Sequence, residues 1–171
     1  MVDFGKCCMT RFPADVLAGK TKRIDEIGDD IVKLVDVMID LMIENKGVGF
    51  AGPQAGVDLR IFVISLDGSR EATKVFINPV IEVSGNVESI EEGCLSLPNI
   101  YGKVKRHTVC KVTATGLDGK EFTDVGEGLY ARAMQHEYDH LEGMMIKDRF
   151  GRLGMIGARR QLKKLLDESS H

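Results

Sequence analysis

The segment His136-Glu137-Tyr138-Asp139-His140 constrains the chain more than any other stretch, because its residues act together only on a helix. Two histidines one helical turn apart lie on the same face, one above the other. Their imidazoles can grip a single metal ion, and the glutamate beside the first can serve as general base toward a water that the metal activates. Leu129, Ala133, Met134 and Leu141 give this helix an apolar flank, and Gly143 suits its stop. A helix is therefore expected over residues 127–141. A histidine pair of this kind also occurs on helices that bind nothing, so the ligand set has to be completed elsewhere.

A catalytic metal needs a third protein ligand and one open position. Downstream of His140 the only histidine is His171, at the end of the chain, and Glu142 is too close along the helix to reach the same ion. The third ligand is therefore expected upstream, and Cys94 is the natural choice. It lies in Glu91-Glu92-Gly93-Cys94-Leu95-Ser96-Leu97-Pro98, where Gly93 lets the backbone approach closely and Pro98 stiffens the exit. A thiolate is a soft, strong ligand for late divalent metals. Two other readings of Cys94 stand beside this one: a small buried apolar residue, or the nucleophile of a thiol hydrolase with a histidine as base. Cys110 sits in an alternating strand and fits burial better. Cys7 and Cys8 are adjacent, with no ligand partner at a sensible spacing.

The remaining pattern is that of a mixed domain. Ile24, Ile27, Ile31, Leu34, Val35, Met38, Leu41 and Met42 recur at helical spacing, with acids from Asp25 to Asp40 on the wet face and Asn45-Lys46-Gly47 as a stop. A glycine-rich loop follows over residues 47–56. Residues 60–66, 74–77 and 80–84 read as strands, the last two separated by Asn78-Pro79. Residues 109–115 and 121–125 read as a hairpin around Asp118-Gly119. A last helix is expected from about residue 153 to 166. The order implies an α+β fold, with mostly antiparallel sheets packed around a central metal-binding helix, plus an N-terminal and a C-terminal helix.

At 171 residues, the chain (1–171) is expected to form a single catalytic domain that needs no disulfide staples. Its net charge of −3 gives no electrostatic case for a nucleic-acid function. The four cysteines form no secreted disulfide framework, no apolar run is long enough to span a bilayer, and residues 1–20 lack a signal-peptide pattern. A cytoplasmic location is expected, with an organelle form that has lost its transit peptide as the alternative.

Three segments together resemble the signature motifs of peptide deformylase: Gly47 to Gln54 as G-x-G-x-A-x-P-Q, Glu92 to Ser96 as E-G-C-L-S, and Gln135 to His140 as Q-H-E-x-D-H. They occur in the family's order, and the resemblance spans about residues 10 to 165. Gly52 departs from a usual alanine, a change expected to loosen the loop slightly. Tyr101 stands where some members carry arginine, which puts a substrate-backbone contact in doubt.

The resemblance implies hydrolysis of the formyl group from N-formylmethionyl nascent polypeptides. Cys94, His136 and His140 would bind a divalent metal. The donor set alone points to Zn(2+), whereas the family implies Fe(2+) in cells, with Zn(2+), Ni(2+) or Co(2+) also able to occupy the site. Glu137 would move protons, while Gln54 and the Leu95 N–H would hold the oxyanion. Gly49 would pair with the peptide backbone, and Val48, Ile90, Gly93 and Ala133 would line the methionine pocket. Asp139 is expected as a structural support, paired with backbone or a basic residue such as Arg106. For the basic stretch Arg149 to Lys164 the resemblance implies the ribosome as a partner; an ordinary solvated helix face explains the same charges equally well. The rival functions are a general H-E-x-x-H zinc peptidase, the thiol hydrolase, and a degenerate paralogue that only binds peptides.

Overall fold

The computed structural model describes residues 7–169; His171 lies outside them. Helix α1 spans Asp29–Glu44. Strand β1 covers Gly49–Ala51 and runs into a 3-10 turn over Gly52–Ala55. Strands β2 (Ile61–Ile64), β3 (Lys74–Cys94), β4 (Leu97–Thr115) and β5 (Glu121–Glu127) follow. Helix α2 spans Gly128–Leu141, and a 3-10 turn over Ile146–Arg149 leads into α3, Arg152–Ser169. The five strands form one antiparallel sheet in the order β1-β2-β3-β4-β5. This is the α+β architecture expected, with α2 as the inner helix. No helix among the described residues is long and apolar enough to cross a membrane.

Helix α1 begins at Asp29, five residues later than the periodicity starting at Ile24 suggests. The side chain of Asn78, whose own φ is 51°, accepts from the Ile24 N–H at 2.9 Å and donates to the Ile24 carbonyl at 2.7 Å. Those bonds hold Ile24 in an extended link, so Gly28 becomes the cap and Asp29 and Asp30 fill the first turn, where the helix dipole favours them. The buried stripe of α1 (Leu34, Val35, Met38, Met42) packs with Phe50, Ile61 and Val63.

The largest difference from expectation is the long β3–β4 hairpin. Asn78-Pro79 does not end a strand; it produces a register shift between Ile77 and Val80, and β3 continues to Cys94. Residues 85–94 and 97–108, which carry no clear strand signal, pair across the hairpin from Val87↔His107 to Gly93↔Tyr101. Leu95 and Ser96 form its tip, between the paired Cys94 and Leu97. The tip therefore carries the E-G-C-L-S motif.

Helix α2 packs Ala131, Ala133, Met134 and Leu141 against Phe62, Phe76, Cys110 and Val112. Gln135 locks it to β4: its Oε1 accepts from the His107 N–H at 3.2 Å and its Nε2 donates to the His107 carbonyl at 2.9 Å. Leu129, read as part of the apolar flank, is instead 58% exposed. None of the four cysteines forms a disulfide among the described residues.

Candidate active site and metal centre

Three elements deliver the candidate site: the hairpin tip, helix α2 and the turn after β1. Cys94 ends β3, and α2 presents His136 and His140 toward it. One ligand atom from each of Cys94, His136 and His140 lies within 4.8 Å of the others. Cys94 Sγ is 3.3 Å from His140 Nε2. Burial raises the Cys94 thiol pKa, but the two imidazoles outweigh it and bring it down to about 5. His136 turns Nδ1 toward Glu92 Oε2 at 3.1 Å, which leaves Nε2 for the cluster. His140 Nδ1 is buried with no hydrogen-bond partner among the described residues. A thiolate and two imidazole nitrogens, converging with an open side, fit a tetrahedral divalent ion.

Glu137 points into the same space. It is 4% exposed, and its Oε2 is buried with no partner among the described residues. Burial holds its carboxyl above the ordinary range, with the neighbouring imidazoles pulling the other way. The close approach of β1 depends on Gly49. A Cβ there would lie 2.5 Å from Glu137 Oε1 and 2.8 Å from its Cδ and Cγ. Gly49→Ala should therefore displace the carboxylate and lower kcat by about 10²-fold. Metal content should stay unchanged, and kinetics alongside metal analysis check both points.

Gln54 is aimed by its own turn. Ala51 N–H donates to Gln54 Oε1 at 2.9 Å, which turns the amide nitrogen toward Cys94 Sγ at 3.8 Å and Ser96 Oγ at 3.3 Å. Ser96 is anchored in turn by donating to the Thr10 carbonyl at 2.8 Å. Gly52 does more than loosen this turn: a Cβ there would meet the Leu59 carbonyl at 2.5 Å, so glycine sets how closely the turn packs on the next segment.

Cys94, His136, Glu137 and Gln54 line one cleft of about 630 Å³. Val48, Gly49, Gln54, Ile90, Gly93, Leu95, Ala133, His136 and Glu137 all border it, together with Leu129 and Tyr101. Tyr101 is 64% exposed at the rim and packs on Gly93, where a Cβ would sit 2.6 Å from its ring.

Beneath the cleft lies an ion network that the sequence reading largely missed. Glu92 accepts from Arg106 Nε and Nη2, both at 3.0 Å, from Arg132 Nη1 at 2.6 Å, and meets His136 Nδ1. Burial pulls the Glu92 pKa up, yet the hydrogen bonds from His136 and Arg106 hold it at about 2. Asp139 pairs with Arg106 at 2.6 Å, as expected, and also with Arg149. Arg149 thus belongs to this network and lies ahead of α3, not on the free basic face to which the sequence reading assigned it. The one available signal was Glu92 itself, an acid beside Gly-Cys in an otherwise exposed strand.

The polypeptide deformylase family model matches residues 7–155. Peptide deformylase 1 of Clostridium perfringens is 47% identical over 135 residues, covering 78% of this chain and 90% of that protein. Among solved structures, a peptide deformylase from Legionella pneumophila superposes with a TM-score of 0.88 at 35% identity, covering 96% of this chain and 98% of that one. A plant peptide deformylase superposes with a TM-score of 0.93 at 34% identity, covering 99% of this chain and 94% of that one. With most of its length matched by the family model and by whole relatives, this chain belongs to the polypeptide deformylase family and is a hydrolase.

Proposed function

We propose that the chain is a metal-dependent amide hydrolase that removes the formyl group from N-formylmethionyl nascent polypeptides and releases formate. The observation that carries this reading is the convergence of Cys94, His136 and His140 beside the buried, unpartnered Glu137. A divalent ion held by those three residues, Fe(2+) in cells with Zn(2+), Ni(2+) or Co(2+) as substitutes, would supply Lewis acidity and acidify water at its open position. Glu137 takes a proton from the attacking water and returns it to the departing amine nitrogen as the C–N bond breaks. Gln54 Nε2 and the Leu95 N–H donate to the formyl oxygen as it gains negative charge; one such donor is worth about 3 kcal/mol. Gly49 pairs with the substrate backbone as an added strand. Val48, Ile90, Gly93 and Ala133 receive the methionine side chain.

Formate release from formyl-Met-Ala, with no cleavage of unformylated or internal bonds, is the expected result. Internal cleavage would favour a general zinc peptidase. The lowered Cys94 pKa beside His140 Nε2 also suits a thiol nucleophile. Chelation separates the two: a metal hydrolase loses activity under strong chelator without oxygen, and a thiol hydrolase keeps it.

The chain is proposed to act as one catalytic domain in the cytoplasm, with α3 docking on the ribosome. Arg152, Arg159, Arg160, Lys163 and Lys164 are exposed on α3, whereas Ala158 and Leu162 are buried against Leu97, Ile100 and Phe150. Deleting the helix would strip that cluster, so charge reversal of Arg159 and Arg160 is the cleaner test. It should weaken ribosome co-sedimentation at moderate salt and leave cleavage of short peptides unchanged.

A further inference from the structure

The cleft has two chemically different ends. One holds Glu137, the ligand cluster and the apolar pocket. The other is a mouth bordered by Arg11, Asn45, Lys46 and Asn99. Backbone hydrogen bonds place the main chain of both basic residues there. Thr10 N–H donates to the Gln54 carbonyl at 2.8 Å and Phe12 N–H to the Ser96 carbonyl at 3.0 Å, so Arg11 sits on a segment stitched to the turn and the hairpin tip. Lys46 follows α1 with a left-handed φ of 55°, and its N–H donates to the Ile43 carbonyl at 3.0 Å.

Neither Arg11 nor Lys46 has an ion pair or side-chain hydrogen bond among the described residues. Arg106, Arg132 and Arg149 are different, since Glu92 and Asp139 neutralise them. The mouth therefore presents two uncompensated positive charges, against the lone exposed acid Glu91 elsewhere on the lining. Gly49 stands against Glu137, and residues 48, 47 and 46 lead from there to the mouth. A peptide paired with β1, with its formyl group at Cys94 and Gln54, would run its later residues toward Arg11 and Lys46.

We propose that Arg11 and Lys46 form an acid-reading subsite, which favours formylmethionyl chains carrying Asp or Glu at the third and fourth residues. The proposal rests on the deformylase reading and narrows its substrate class. A peptide carboxylate could come from a side chain or from a free C-terminus, so amidated and free-acid peptides are both needed.

The test is kcat/KM for formate release from amidated formyl-Met-Ala-Asp-Asp, formyl-Met-Ala-Ser-Ser and formyl-Met-Ala-Lys-Lys, at low and high salt. The acidic peptide should exceed the basic one by roughly tenfold at low salt, and the ratio should shrink as salt screens the exposed pairs. The double variant Arg11→Glu, Lys46→Glu should invert the order and leave the amide of formyl-Met-Ala unchanged. The unformylated product peptides should inhibit in the same order. Equal rates across the amidated series, with formyl-Met-Ala amide still cleaved, would overturn the subsite and leave the deformylase reading intact. So would a preference seen only for the free-acid forms. No formate from any peptide would remove the deformylase reading itself, and the subsite with it.

Discussion

Glu137→Gln is expected to lower kcat for formate release by about 10³-fold, in the range found for general acid–base groups, with KM and metal content unchanged. Glutamine matches the shape of the glutamate but cannot take the proton from water or deliver it to the leaving amine. The ligand atoms come from Cys94, His136 and His140, so the substitution leaves the donor set whole. The effect on stability should go the other way. Glu137 Oε2 is buried without a partner, and burial already raises the carboxyl pKa. A neutral amide at this position removes a buried charge that the neighbouring imidazoles offset only in part. Thermal unfolding of the variant should occur at the same temperature as the parent or higher. A variant that keeps its rate within tenfold of the parent would take Glu137 out of the proton path and return the thiol-hydrolase reading to the front.

The parts of this site that could be read in the sequence are those set by local spacing. His136 and His140 share a helix face because of backbone geometry alone, and α2 is observed within a residue of its expected start. The Gln54 loop could be read because Pro53 and the surrounding glycines announce a tight turn. Cys94 could be chosen only by excluding other ligands. Its position at a hairpin tip depends on a pairing across residues 85–108, whose outer face is exposed and whose hydrophobic alternation is weak. The start of α1 was misplaced for a related reason: Asn78, far along the chain, holds Ile24 out of the helix. The charge network was hidden for the same cause. Nothing near Glu92 in sequence indicates that Arg106, Arg132 and His136 converge on it; the β3–β4 register and the packing of α2 bring them together.

Glu92→Gln should be the most destabilising single change near the site. Glu92 is 7% exposed and joins β3, β4 and α2 through Arg106, Arg132 and His136. Removing one partner from a buried charge network costs about 3–5 kcal/mol, because the remaining charges stay desolvated. For a chain of this length that corresponds to a fall in Tm of about 10 °C. The same change frees His136 Nδ1 from the carboxylate that fixes its orientation, so metal affinity should drop by about 10- to 100-fold.

Acid should mimic the substitution. The Glu92 pKa falls from 4.5 to about 2 on folding. A group whose pKa is depressed in the folded state stabilises the protein above its unfolded pKa, and that contribution is lost as pH falls through the folded value. The parent should therefore lose on the order of 3 kcal/mol between about pH 4.5 and pH 2, and the Glu92→Gln variant should lack this part of the acid limb. Denaturant titrations of both proteins across that interval, with metal retention measured at neutral pH, test the two consequences together. Parallel acid limbs would mean that Glu92 is not the carboxylate holding β3, β4 and α2 in register. Unchanged metal retention would separate the network's structural role from any hold on His136.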